Sequence, residues 1–293
     1  MLRHRPERLC DGIVLPTAGA RPLRHGTAPT CMTRPLLTAS IAVACLMASA
    51  PSWAQYQGIV SLPPVGPGDS RLLLGGAAIV RPAYLGSDDT VWTALPYIDY
   101  AHRNGFFAST GSGIGYSFVN TASNQIGARL IPRFGRRESQ SSDLRGMGDI
   151  GFGVEASVYW THALSRAWTL GLNVRGGSRG AEFDAGVRRD LQLGPATRLS
   201  VTGYLTAANS RSQQSAFGVD AGQSLASGYA PYAPSGGLRN AQLAVSANHF
   251  FAGRWIAIGG VGLGRVLGDS ADSPLVRDRT NASAFAAIGY QLF

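Results

Sequence analysis

Two carboxylates stand side by side at Asp88 and Asp89, closing a stretch that also holds a phenol and a hydroxyl: Pro82-Ala83-Tyr84-Leu85-Gly86-Ser87-Asp88-Asp89. Such a group could hold a hard cation or serve as acid and base. Adjacent residues of a strand point to opposite faces, however, and a hard cation asks for six or more oxygens. The stretch therefore reads as a solvated turn, with Gly86 at an awkward backbone angle and Ser87 or Asp88 bonding locally. Weak ion binding or a lipopolysaccharide-bridging contact is the chemical alternative.

A nucleophile needs a base within hydrogen-bond reach, and Ser246-Ala247-Asn248-His249 is the best candidate. Period-two geometry places Ser246 and Asn248 on one face and His249 on the other, so no triad forms within that strand. His102 and His162 fall near turns with no assignable partner. The runs Gly111-Ser112-Gly113-Ile114-Gly115 and Gly260-Val261-Gly262-Leu263-Gly264 echo nucleotide loops. A phosphate cradle needs a helix after its glycines, and strands follow or contain both runs; alternating glycine suits curvature or close packing instead. No catalytic, cofactor or metal residue is assigned, and the chain is not expected to be an enzyme.

The elements that would position these residues are strands. Beyond residue 70 the chain alternates in segments of roughly ten residues. Ile150, Phe152, Val154, Ala156, Val158 and Trp160 share one face, and Asp149, Gly151, Gly153, Glu155 and Ser157 share the other. Similar segments recur at 168–175, 197–206, 242–249 and 255–266, and amphipathic helices are not evident. Asn104-Gly105 is the preferred pair for a type I′ hairpin. Polar faces with no second apolar layer to cover, and aromatics near segment ends (Trp92, Tyr100, Trp160, Trp168 and Trp255), fit a membrane barrel better than a soluble sandwich. Lipid offers no hydrogen bonds, so the sheet must close. The fold expected is an all-β, antiparallel transmembrane β-barrel over 71–293. Alternating direction works only if 105–119 holds two short strands broken near Thr110-Gly111-Ser112-Gly113, which gives about 12 strands; ten is the runner-up. Joints near 135–147, 209–237 and 267–280 then face outward, and those near 120–124, 162–165, 192–195 and 251–253 face the periplasm.

Met32 is the expected start, with 1–31 an upstream extension lacking hydrophobic periodicity. Residues 32–54 read as a signal peptide: Arg34, an apolar run from Leu36 to Ala50, and small residues before a cleavage point after Ala54. That run is short of the about 20 residues a spanning helix needs. Residues 55–70, rich in Pro and Gly, form a lead-in. The three cysteines, Cys10, Cys31 and Cys45, all precede the body, which can hold neither a disulfide nor a cysteine-zinc cluster. The chain has no lysine. The six arginines and two acids before residue 55 leave 20 arginines against 15 acids, too mild and scattered for a nucleic-acid partner. Arg133, Arg136 and Arg137 beside Glu138 and Asp143 read as a solvated mixed-charge loop.

The chain resembles the MipA/OmpV outer-membrane family in several places. These are 82–89, with Pro82, Tyr84, Gly86 and Ser87; Leu95-Pro96-Tyr97-Ile98-Asp99-Tyr100; and Gly105-Phe106-Phe107-Ala108 after Asn104. The resemblance continues through Phe217-Gly218-Val219-Asp220, Ser227-Gly228-Tyr229 and Tyr232, then 268–276 with Ser273 and Pro274. The last segment ends on Phe293, with Tyr290 three before it where the usual pattern has an aromatic two before. The resemblance implies an integral outer-membrane barrel touching outer-membrane lipid and lipopolysaccharide. It further implies a scaffold joining a lytic murein transglycosylase to a penicillin-binding protein, or a role in envelope stress. A narrow passive pore, an adhesin and an outer-membrane lipid hydrolase are the alternatives. The signature residues are expected to be structural, and the 209–237 excursion to meet a partner.

Overall fold

Alternating side chains become strands wherever one face meets lipid and the other the lumen. The computed structural model describes residues 68–293. The upstream extension, the signal peptide and nearly all of the lead-in lie outside the described residues. Twelve antiparallel strands close into a barrel, each paired with its sequence neighbours and β1 with β12. They are β1 (Arg71–Pro82), β2 (Thr90–Ala101), β3 (Phe106–Ser109), β4 (Gly113–Asn120), β5 (Asn124–Arg133) and β6 (Gly153–Ala163). The second half comprises β7 (Trp168–Gly177), β8 (Gly180–Gln192), β9 (Thr197–Ala208), β10 (Gly237–Phe251), β11 (Trp255–Val266) and β12 (Thr280–Gln291). The break at 110–112 makes the count twelve, as alternating direction required.

Register follows the alternation. Ala77 stands opposite Ala287 on one side and Leu95 on the other, all three buried. Val154, Val158, Val174, Leu243, Val261 and Ile288 face outward and are exposed. Glu155, Ser157, Asn173, Arg175, Ser246 and Asn248 face the lumen and are buried. An apolar exterior around a polar interior is the pattern of a barrel standing in lipid. At the end where β1 begins and β12 ends, Trp255 meets Tyr290 edge-on at 5.3 Å and Arg189 lies over Trp168 at 5.3 Å. Part of the lumen is apolar: Leu73, Ile79, Leu95, Tyr97, Ile256, Ile258 and Phe285 fill the wall made by β1, β2, β11 and β12.

Three local expectations change. The β2–β3 turn is not type I′, because Asn104 keeps an ordinary φ and only Gly105 is left-handed, at +100°. The Gly105 N–H donates to the His102 carbonyl at 2.9 Å, and Asn104 Oδ1 accepts from the Phe106 N–H at 3.0 Å. The pair thus builds a longer turn whose glycine follows the loop; a Cβ on Gly105 would stand 2.5 Å from the Ser117 carbonyl oxygen. Helices do occur: α1 (Ser210–Phe217) and α2 (Ala221–Ser227) lie in the long outward excursion. They are too short to show a periodic face, and their legible signals are the caps Asn209 and Asp220. Arg136 is buried and Arg133 half-buried, rather than solvated.

Candidate functional site

Four outward connections fold over the barrel mouth as a lid: residues 83–89, 134–152, 209–236 and 267–279. Their apolar side chains form two clusters. Ala83, Tyr84, Leu144, Met147, Val219 and Leu275 make one, with Tyr229 and Tyr232 against it. Phe217, Val266 and Ala271 make the other, with Leu85, Ala216 and Val276. The lid's polar groups are paired as closely. Tyr84 donates to the Leu275 carbonyl at 2.8 Å, and the Gly86 N–H donates to Asn281 Oδ1 at 3.0 Å. The Gly86 carbonyl accepts from Arg277 N–H at 2.7 Å. Ser273 Oγ donates to the Phe217 carbonyl at 2.6 Å. Asn209 Oδ1 caps α1 through the Ser212 N–H at 2.9 Å and accepts from the Ala181 N–H of β8 at 3.1 Å, fastening the excursion to the wall.

Gly86 has φ +97°, and a Cβ there would lie 2.8 Å from Val276 Cγ2. Both the backbone angle and the close approach require glycine. Ser87 Oγ accepts from the Asp89 N–H at 3.1 Å, while Asp88 and Asp89 face water. Asp88, Asp89 and Asp143 bring carboxylate oxygens within 4.8 Å of one another, and the Asp143 carboxylate is bonded to Arg277 at 2.8 Å.

Burial pushes the Tyr84 phenol up, with Asp143 adding to the effect. An unfolded phenol ionises near pH 10. Above that pH the folded protein binds the extra proton, so this contribution to lid stability is complete below about pH 10 and declines as pH rises past it. Limited proteolysis of the lid across pH 8 to about 11 checks this: cutting should rise above pH 10 in the native chain, and Tyr84→Phe should flatten the rise.

Below the lid, charged side chains cross the lumen. Glu182 accepts both terminal nitrogens of Arg239, at 2.5 and 2.8 Å, and also takes Arg175 and Arg133. Arg133 Nε reaches Glu155 at 3.1 Å, and Arg175 Nη1 reaches Asp184 at 2.7 Å. Ser212 Oγ of α1 donates to Glu182 at 2.8 Å, tying the lid to this network. Glu182 is 3% exposed. Burial at this depth makes mutual pairing obligatory, because an isolated charge here would lose its hydration without compensation. Arg129 is held by Asn173 Oδ1 at 3.3 Å and lies over the Tyr159 ring at 5.1 Å. Beneath the network a cavity of about 320 Å³ extends toward the terminal end, reaching His102 and Asn120. Five arginines (Arg71, Arg129, Arg175, Arg188 and Arg239) line it against Asp99 and Asp184.

The structure brings together signature residues that stand far apart in the chain. Pro82, Tyr84, Gly86, Ser87, Phe217, Gly218, Ser273 and Pro274 all belong to the lid or its junction with the wall. Asn104 and Gly105 form the β2–β3 turn, Pro96 sits in β2, and Phe293 follows β12, its carbonyl accepting from the Leu72 N–H at 3.1 Å. Phe217 and Val219 of the 209–237 excursion are buried in the lid, on the mouth opposite the start of β1 and the end of β12. Ser246 and Asn248 face the lumen, while His249 faces out and meets Thr197 Oγ1 at 2.8 Å. His162 Nδ1 meets Asn124 Oδ1 at 2.9 Å. Arg81 escaped the sequence reading, and Arg136 reads there as a solvated loop charge. Arg81 is 3% exposed and donates to the Pro82 carbonyl at 2.9 Å. Arg136 donates to the Ala216 carbonyl at 3.2 Å and lies over the Tyr84 ring at 5.9 Å. Arg81 falls on the lumenal phase of β1; nothing in the spacing marks Arg136.

The profile of the family described as MltA-interacting protein MipA matches residues 74–292. Among solved structures, the NanC porin is similar at 10% identity, covering 75% of this chain and 100% of that one, with a TM-score of 0.46. The KdgM porin is similar at 10% identity, covering 75% of this chain and 99% of that one, with a TM-score of 0.40. No curated protein matches the chain.

Proposed function

The chain is an outer-membrane barrel protein belonging to the MltA-interacting protein MipA family, and from that premise we propose that it is a scaffold rather than a passive pore. In this reading it holds a lytic murein transglycosylase, and through it a penicillin-binding protein, at the inner face of the outer membrane. The observation that carries the preference is the doubly obstructed lumen. A packed lid covers one mouth, and Glu182 with its three arginines crosses the interior beneath it. A passive pore needs a continuous water column, and both features interrupt one. The surface that meets a murein enzyme is then the terminal rim with its short turns, since the long excursion is spent on the opposite mouth.

The purified full chain, immobilised in detergent, should enrich a murein transglycosylase from a Gram-negative envelope extract over an unrelated barrel. Exchanging the rim turns at 121–123, 164–167 and 252–254 should abolish that enrichment, and exchanging lid residues should not. Equal recovery on the unrelated barrel, or steady single-channel conductance of the native chain in planar bilayers, would overturn the reading.

A further inference from the structure

The hairpin β3–β4 closes only half the height of the wall. β3 pairs with β2 at Asp99–Ala101 alone, and β4 pairs with β5 no further out than Leu130. Thr110 adds one more link, its N–H donating to the Ile98 carbonyl at 2.8 Å and its Oγ1 accepting from the Ile98 N–H at 2.9 Å. Outward of that point, Thr90–Pro96 of β2 and Ile131–Arg133 of β5 have no strand partner on the facing edges among the described residues. The result is a seam in the sheet, in the half of the barrel nearer the lid.

Open backbone groups in lipid cost several kcal/mol each, so the composition of the two edges matters. Antiparallel backbone groups alternate sides. Ile98 turns its N–H and carbonyl toward β3, so Pro96, two residues on, presents its ring nitrogen to the seam. Across the seam, the Ala128 and Leu130 carbonyls lie against β4 at Gly115 and Gly113. Pro132 by the same alternation presents its ring nitrogen to the seam. Each edge thus carries a proline where a ladder would need a donor, which removes an exposed N–H and also blocks addition of a foreign strand. Such a seam is built to remain unpaired.

Side chains alone close it. Phe134, just beyond β5 and 8% exposed, belongs to the buried cluster of Leu95 and Tyr97 on β2. Its ring meets that of Phe152 at 5.5 Å, and Phe152 is exposed. The Tyr97 hydroxyl is buried without a hydrogen-bond partner among the described residues. Asp99, the next lumenal position on β2, lines the arginine-rich cavity, as do Ser109 and Ser112 of the hairpin at the foot of the seam. Packed apolar side chains therefore fill the seam beside a chamber lined by five arginines, four of them ion-paired.

We infer that the seam between β2 and β5 is a lateral portal through which a single-chain anionic amphiphile passes from the membrane, its alkyl chain against Leu95, Tyr97 and Phe134 and its acidic head among the arginines of the cavity. The scaffold role neither requires nor excludes this.

The probe is dodecanoic acid carrying a diazirine at its tail, added to phosphatidylcholine vesicles holding the full chain, with adducts mapped by mass spectrometry. Adducts are expected on Phe134, Leu95 and Tyr97. The corresponding alcohol should need about tenfold more probe for half-saturation, the loss of one charge-assisted hydrogen bond. Phe134→Leu should accelerate labelling of Leu95 and Tyr97. Adducts confined to the lipid-facing Trp92, Ile114 and Leu130, or equal labelling by a quaternary ammonium analogue, would overturn the portal. If Phe134→Leu lost its heat-modifiable mobility, the native labelling map and the head-group series would still decide.

Discussion

Replacing Glu182 by alanine should lower barrel stability by about 3–5 kcal/mol, the usual cost of removing one partner of a buried ion pair. The size follows from what stays behind. Arg133, Arg175 and Arg239 all converge on this carboxylate, and the side chains of Arg175 and Arg239 are almost fully buried. Glu155 and Asp184 compensate Arg133 and Arg175 only in part, and Arg239 keeps no other carboxylate among the ion pairs of the described residues. Glu182→Gln separates charge from shape: the amide keeps the volume and one acceptor, so it should fall between alanine and the native chain. Urea unfolding in lipid vesicles, followed by tryptophan fluorescence, gives the comparison. A loss under about 1 kcal/mol, the range of exposed pairs, would mean that water reaches these arginines and that the lumen is less obstructed than the geometry implies.

The second large effect is local to the lid. Phe217 is 1% exposed and packs with Val266 and Ala271, so Phe217→Ala should remove about 3–5 kcal/mol from that cluster. The loss should appear as local opening rather than global unfolding, because the strand ladders do not depend on it. Protease cutting within 209–236 should rise steeply while the heat-modifiable band persists. Conductance then separates the two obstructions. Opening the lid leaves the Glu182 network across the lumen, and removing Glu182 leaves the lid packed. Each single variant should therefore conduct little, and Phe217→Ala combined with Glu182→Ala should conduct clearly more than the sum of the two. Conductance from Phe217→Ala alone would assign the whole barrier to the lid.

These predictions concern contacts that the sequence only half discloses. Strand identity and facing were legible because a membrane wall imposes one rule on every strand: apolar toward lipid, polar toward the lumen. That rule puts Glu155, Arg175 and Ser157 inside, Val154 and Val158 outside, and separates Ser246 from His249. The short β3–β4 pair was legible from Thr110-Gly111-Ser112-Gly113, which interrupts the alternation. Pro96 and Pro132 could have been read as edge markers, since proline in a strand costs a ladder donor; only the unequal strand heights show that they face one seam.

Alternation is local, and partner choice is not. The phase of a strand says that Arg175 points inward but not that Glu182 and Asp184 meet it there. The loops hold still less. Arg133 and Arg136 read as solvated charges because polar loop residues usually are, yet the lumen network takes one and the packed lid the other. Tyr84 and Leu275 stand 191 residues apart and share a hydrogen bond. The amino-acid order determined a closed barrel of alternating strands, because burial in lipid acts on each residue one at a time. Only the tertiary structure decided that a packed lid lies over one mouth and an ion-pair network crosses the lumen, since both depend on pairs of distant side chains whose charges and shapes compensate one another.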